Sequence, residues 1–230
     1  MSKRALFIGF EGCEQSKKAC DFLSMCGFDT TPAWTENKRG ARLPLHVKEW
    51  SGDYLFHLKS YCILRQRLLD RVKIASINFH PCHPKYPGAG GINWGLLNED
   101  RETAITVHHM NNKVDNGKII KVYMIPIFKN DSVASLLTRV HEKQLQSFYD
   151  IAGSITNYGP GVLLKMARES SIEEWGNHTG RMKEIDELEV IEHDIAKEDL
   201  EKLIRATHIG HFGPKLILHG YEFRYRGVYK

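Results

Sequence analysis

Cysteine, proline and long apolar runs are all scarce in this chain of 230 residues, and each shortage excludes something. The five cysteines (Cys13, Cys20, Cys26, Cys62, Cys82) form no C-x-x-C pair. Their odd number suits a reducing compartment better than a disulfide framework, so they read as free thiols, mostly buried. No apolar stretch approaches the roughly 18 residues of a membrane span. The start, Met-Ser-Lys-Arg followed by Ala5 to Phe10, is too short for a signal peptide and has no small-residue cleavage site. A cytoplasmic protein away from membranes is the expectation. Neither sign of charge dominates: 32 Lys and Arg stand against 28 Asp and Glu, a formal +4, without a basic run. That balance suits an anionic small molecule as well as nucleic acid. Internal repeats and low-complexity tracts are absent too. What the chain does have is 42% hydrophobic and 10% aromatic residues, enough for one substantial core with a tail.

Strand and helix signals alternate. Ala5 to Phe10 is a continuous apolar run, and Ala19, Phe22, Leu23 and Cys26 follow at helical spacing before Gly27, which predicts a buried strand and an amphipathic helix. Residues 29–50, with Pro32, Gly40 and Pro44, read as loop with an extended piece at Leu43 to Val47. Tyr54 to Leu58 and Ile74 to Phe79 read as strands separated by a short helix carrying Ile63, Leu64, Leu68 and Leu69. A proline and glycine loop runs from His80 to Gly91, then a short helix lies near Trp94 to Leu97. Two more strands, Thr103 to Met110 and Lys118 to Phe128, flank a polar turn. Val133, Leu136, Leu137, Val140, Leu145 and Phe148 mark one face of a long helix that closes the main domain, residues 1–151. The extension, 152–230, shows a capping-box pattern at Ser171 and Glu174, an acidic run from Glu184 to Glu201, Leu200, Leu203 and Ile204 at helical spacing, and a β-hairpin within Lys215 to Tyr229. The expected fold is an open, Rossmann-like, mostly parallel α/β sheet with a helical and β-hairpin tail.

The chemistry concentrates after the Ile74 to Phe79 strand. Asn78 and His80 are two positions apart, share one face, and sit at the carboxyl end of a strand, the edge where open α/β sheets bind ligands. A carboxamide beside an imidazole can stabilise a developing oxyanion and manage a proton at neutral pH. Asp115 lies in the polar turn, and a carboxylate next to His80 raises the histidine's pKa and fixes its orientation. Each residue type also has an ordinary structural role as a cap or turn former. A metal reading of His80, His83, His108 and His109 is weaker, because His80-x-x-His83 crosses a proline loop and His108 and His109 point to opposite strand faces.

Taken together, N-x-H-P, the Pro-Gly loop, T-x-H-H-M and V-D-x-G-K-I-I resemble the formyltransferase family that uses N10-formyltetrahydrofolate. The resemblance runs from about Tyr54 to Ile151 and implies that Asn78, His80 and Asp115 form a catalytic trio, with His108 near the site. It implies folate contacts from Tyr61, Cys62, Ile63 and Leu64 on one side and from Asn111, Lys113 and Val114 on the other. Lys85, Tyr86, Gly90, Trp94 and His108 then fall to the acceptor. By this resemblance the amine attacks the formyl carbon directly, Asn78 and protonated His80 hold the oxyanion, and Asp115 keeps His80 charged; no metal takes part.

Within the family, N-F-H-P-x-x-P-x-Y-P-G resembles the nucleotide-sugar branch rather than the purine and tRNA enzymes. Arg205-Ala206-Thr207 followed by Phe212-Gly213-Pro214-Lys215-Leu216 is similar to the segment after the catalytic domain of sugar formyltransferases. The implied acceptor is a nucleotide-linked amino sugar such as a dTDP-4-amino-4,6-dideoxyhexose, used for surface polysaccharide, and not a nucleic acid. Glycinamide ribonucleotide formyltransferase, formyltetrahydrofolate hydrolase and a non-catalytic nucleotide-binding module stay open as alternatives. The β-formers of the tail offer an edge for a homodimer.

Overall fold

A computed structural model describes residues 2–227 of the chain. Its first strand, β1 (Lys3–Phe10), buries Ala5 through Gly9 without interruption, as a central strand covered on both faces must. Helix α1 (Glu14–Met25) leads to β2 (Phe28–Thr35), and β3 (Gly52–His57), α2 (Gln66–Leu69) and β4 (Val72–His80) follow. After α3 (Gly91–Leu97), β5 (Glu102–His109) and β6 (Ile119–Pro126) complete a six-stranded sheet of order β2-β1-β3-β4-β5-β6. The first four strands run parallel, and β5 is antiparallel to both neighbours. The open, mostly parallel sheet expected of the sequence is therefore present.

Alternation along β1 divides the core. Phe7 faces α1 and the long α4 (Val133–Tyr158), while Leu6 and Ile8 face a second cluster with Leu55, Val47 and Trp50. Phe148 of α4 is the hub of the first cluster, its ring 5.8, 5.6 and 5.1 Å from those of Phe7, Phe56 and Phe79. Ser132 and Ser135 cap the start of α4 reciprocally. A division at residue 151 falls inside this helix, which continues unbroken to Tyr158; the backbone turns at Gly159 and Pro160.

Several local expectations change. Residues 29–50 are not all loop: Phe28–Thr35 is β2, the edge strand, where the missing N–H of Pro32 is tolerated. The piece at Leu43 to Val47 is not extended but turns into a single 3₁₀ turn at Leu45–Val47 after Pro44. Ile63 and Leu64 precede rather than join α2: residues 61–65 form no helix and alternate exposed with buried, which drops Cys62 and Leu64 into the second cluster.

No helix begins at Ser171. The helices of the tail are α5 (Gly161–Glu169), α6 (Met182–Leu188) and α7 (Lys197–Thr207). The segment around Trp175 is drawn instead onto the main sheet, with the Gly176 N–H donating to the Pro84 carbonyl at 2.9 Å. Strand β7 (Val190–Ile191) pairs with β8 (Lys215–Leu218), which forms a hairpin with β9 (Tyr221–Arg224). The part of the expected hairpin that reaches Tyr229 lies outside the described residues. Arg205 bolts the tail down by donating to the carbonyls of Asp131 and Phe128, at 2.6 and 3.1 Å. Among the described residues no helix is long and apolar enough to cross a membrane.

Candidate active site

Strand β4 ends with alternation that separates core from chemistry. Phe79 turns into the first cluster, and its carbonyl accepts from the buried Gln144 amide of α4 at 2.6 Å. Asn78 and His80 therefore face the other way. The turn between β5 and β6 brings Asp115 to them, in a left-handed conformation (φ 43°) that aspartate adopts more readily than most residues. Its Oδ2 lies 3.1 Å from His80 Nδ1 and accepts the Gly88 N–H at 2.9 Å. Its Oδ1 accepts from Asn78 Nδ2 at 3.2 Å and lies 3.3 Å from His108 Nε2. His80 Nε2 donates to the Tyr86 carbonyl at 3.0 Å.

His80 and Asp115 are dry, at 4% and 8% exposure, while Asn78 is half-buried. Burial opposes charge on both, but their mutual attraction and hydrogen bond outweigh it. The His80 pKa is accordingly held well above its ordinary value and that of Asp115 well below the usual carboxylate range. The result is an imidazolium donor maintained at neutral pH beside a carboxamide. Such a pair can stabilise negative charge on oxygen and pass a proton.

His108 is also drawn in. At 2% exposure it contacts Asn78, Asp115 and the His109 carbonyl, so it has little surface left for an acceptor. Lys85, Tyr86 and Trp94 instead line a cleft of about 820 Å³ together with His178, Glu184 and Leu188 of the tail. Gly90 is not in that lining; it caps α3, and a Cβ there would meet Ile185 at 2.6 Å. Lys85 is paired with Asp100 at 3.0 Å, which balances the charge expected to meet a phosphate. Tyr86 links the two regions, since its carbonyl binds His80 and the residue lines the cleft.

The proposed folate segments show the split that alternating burial imposes. Tyr61 and Ile63 are exposed, while Cys62 and Leu64 are core. Asn111 Oδ1 accepts from the Lys113 N–H at 2.9 Å, forming a tight turn that leaves Val114 exposed next to Asp115. Met110 packs on the cluster that holds Cys62 and Leu64, so both segments border one region. The aliphatic faces of Ile63 and Val114 there suit a flat heterocycle. Among the described residues no group of three or more His, Cys, Asp or Glu side chains is arranged to hold a metal ion.

Two residues escaped the sequence reading. Trp175 lies edge-on to the rings of His108 and His80, with centroids at 4.9 and 5.7 Å, and its indole N–H donates to the Gly117 carbonyl at 2.7 Å. Nothing local in its polar surroundings announced this. His57, whose Nδ1 lies 2.8 Å from Asn78 Oδ1, carried a usable signal: a titratable residue at the carboxyl end of an apolar strand.

The profile of the formyl transferase family matches residues 15–151. Among curated proteins, the bifunctional polymyxin resistance protein ArnA of Wigglesworthia glossinidia brevipalpis is 35% identical over 96 residues, 41% of this chain and 15% of that protein. The chain thus spans well under two thirds of such relatives. In fold it is similar to a sugar N-formyltransferase from Shewanella, with a TM-score of 0.70 and 15% identity over 99% of this chain and 98% of that one. It is also similar to an N-formyltransferase from Helicobacter canadensis in complex with folinic acid and dTDP-3-aminofucose, with a TM-score of 0.53 and 22% identity over 69% and 65% of the chains.

Proposed function

Because this chain belongs to the formyl transferase family, we propose that it transfers a formyl group from N10-formyltetrahydrofolate to the amino group of a nucleotide-linked amino sugar. The observation that carries this reading is the hydrogen-bonded Asn78, His80 and Asp115 cluster at the carboxyl edge of the sheet. Support for a sugar acceptor comes from fold likeness along nearly the whole chain, tail included. The aromatic cleft is of a size usual for small-molecule sites. A dTDP-linked 4-amino-4,6-dideoxyhexose is the first acceptor to test.

The residues divide the work. An acceptor amine forms the new C–N bond as the bond from the formyl carbon to the donor nitrogen breaks; the amine loses a proton and the donor nitrogen gains one. His80 and Asn78 stabilise the negative oxygen in between. Every polar hydrogen they have is engaged in the protein, so that oxygen takes over one bond from each: the His80 Nε2–H now held by the Tyr86 carbonyl and an Asn78 N–H now held by Asp115 or His108. Asp115 keeps His80 charged and helps relay the amine's proton through water toward the donor nitrogen. Trp175 covers the imidazoles and excludes bulk solvent.

The decisive experiment supplies formyl-folate with dTDP-, UDP- and GDP-linked amino sugars and glycinamide ribonucleotide, following folate absorbance and product mass. Transfer to one nucleotide sugar is the expected result. Transfer to glycinamide ribonucleotide alone, or formate release without acceptor, replaces the reading with a purine-type transferase or a hydrolase. The proposed assembly is a homodimer through the tail in the cytoplasm, where β9 is an edge strand and Ile217, Leu218, Tyr221 and Phe223 are exposed.

A further inference from the structure

Three neighbouring strands place a row of polar side chains across the sheet. His57 of β3 is the register partner of Asn78 of β4, and Asn78 is the register partner of His108 of β5. The row is bonded: His57 Nδ1 to Asn78 Oδ1 at 2.8 Å, and Asn78 Nδ2 to His108 Nε2 at 3.0 Å. Its polarity follows from chemistry. Asp115 is a carboxylate and only accepts, so the Asn78 group 3.2 Å from it is the NH₂. The carboxamide oxygen must then face His57, and a carbonyl oxygen accepts, so His57 Nδ1 carries hydrogen. The ring is 7% exposed, and burial lowers its pKa despite the Asn78 bond, the charge of Asp115 and the nearby Cys62 backbone, which leaves it a single ring proton at neutral pH. His57 Nε2 is buried without a hydrogen-bond partner. The one ring proton is thus committed to Asn78.

We propose that His57 is a positioning residue for formyl transfer: its Nδ1–H anchors Asn78 Oδ1 and holds the carboxamide with its NH₂ toward Asp115 and His108. Without that donor the oxygen of Asn78 loses its hydrogen-bond partner in the protein. The alternative orientation sets it against Asp115 Oδ1, where two acceptors repel. His57 thereby acts on the oxygen-stabilising group without touching substrate. The activity arm of this inference rests on the formyl-transfer reading; its spectroscopic arm does not.

Two amides of opposite reach test it. His57→Asn places an N–H close to the position of Nδ1, whereas His57→Gln places one close to Nε2, at similar cost in buried polarity. His57→Asn keeps kcat within about threefold of the parent, while His57→Gln lowers it roughly tenfold or more with the KM for formyl-folate unchanged. Long-range proton–nitrogen NMR of the whole chain shows His57 as the Nδ1–H tautomer. The Asn78 side-chain amide hydrogens are protected from exchange in the parent and in His57→Asn, and exchange faster in His57→Gln. An Nε2–H tautomer, or two variants alike in kcat and in Asn78 protection, overturns the proposal. If the parent transfers no formyl group to any acceptor, the functional reading fails while tautomer and protection still decide the role of His57.

Discussion

Asp115 and His80 depend on each other more than on any other group in the site, and both are out of water. Replacing either, as His80→Asn or Asp115→Asn, is expected to lower kcat by about 10²- to 10⁴-fold while KM changes little, as steady-state kinetics of formyl transfer will show. Near-native turnover in either variant removes the proposed mechanism. The same pair leaves a mark on stability. The lowered pKa of Asp115 contributes stability that is present above its unfolded value near 3.8 and lost as pH falls below it. The raised pKa of His80 contributes stability that is complete below its unfolded value near 6.5 and lost as pH rises through the folded value. Thermal melting from pH 2 to 10 is therefore expected to show a flatter profile for Asp115→Asn at both ends. Trp175→Ala opens the imidazoles to water, which weakens the hold of Asp115 and moves the His80 pKa back toward 6.5. Its kcat profile should lose its alkaline limb at lower pH than the parent. Asn78 and His80 were legible because residue type and strand-end placement coincide, and Asp115 because the family resemblance joined its turn to them. Trp175 was not, since its partners lie far away along the chain and its neighbours are polar.

Elements were legible where the apolar pattern is local, continuous in a central strand or along one face of a helix. Strand β1 and helix α4 carry their burial pattern in the spacing of Ala5 to Phe10 and Val133 to Phe148. Strand β2 was hidden by Pro32, which a strand interior forbids and a sheet edge permits; whether a strand is an edge is a property of the sheet. The Ser171 to Glu174 pattern misled for a related reason, because docking onto the main sheet outweighed a local cap. Two contacts enforce that docking. Gly88 has φ 87°, and a Cβ there would lie 2.4 Å from the Gly180 carbonyl; a Cβ on Gly176 would lie 2.0 Å from the Lys85 carbonyl. Gly176→Ala is accordingly expected to release residues 170–181 without melting the sheet. Hydrogen exchange should accelerate in that segment and around Lys85 to Ala89 while β1, β3 and β4 stay protected, and kcat should fall as Trp175 withdraws.

For the whole molecule, the sheet supplies rigidity and the tail supplies both a lid and an edge. The exposed apolar residues of β8 and β9 belong to a sheet separate from the one that carries the catalytic cluster, so an assembly built on them leaves the chemistry in each chain. Sedimentation at micromolar concentration is expected to show a dimer, and Tyr221→Glu with Phe223→Glu a monomer that keeps the fold; a monomeric parent rejects the assembly. By itself the sequence determined the apolar strands and helices and the run of strand and helix signals, because those follow from spacing along the chain, and its motifs carried the resemblance that implied the trio. Tertiary structure alone decided that β2 is an edge strand, that His57 meets Asn78 across two strands, and that Trp175 covers His80. Each of these depends on which distant segments share space, and that is set by the packing of the whole sheet and tail.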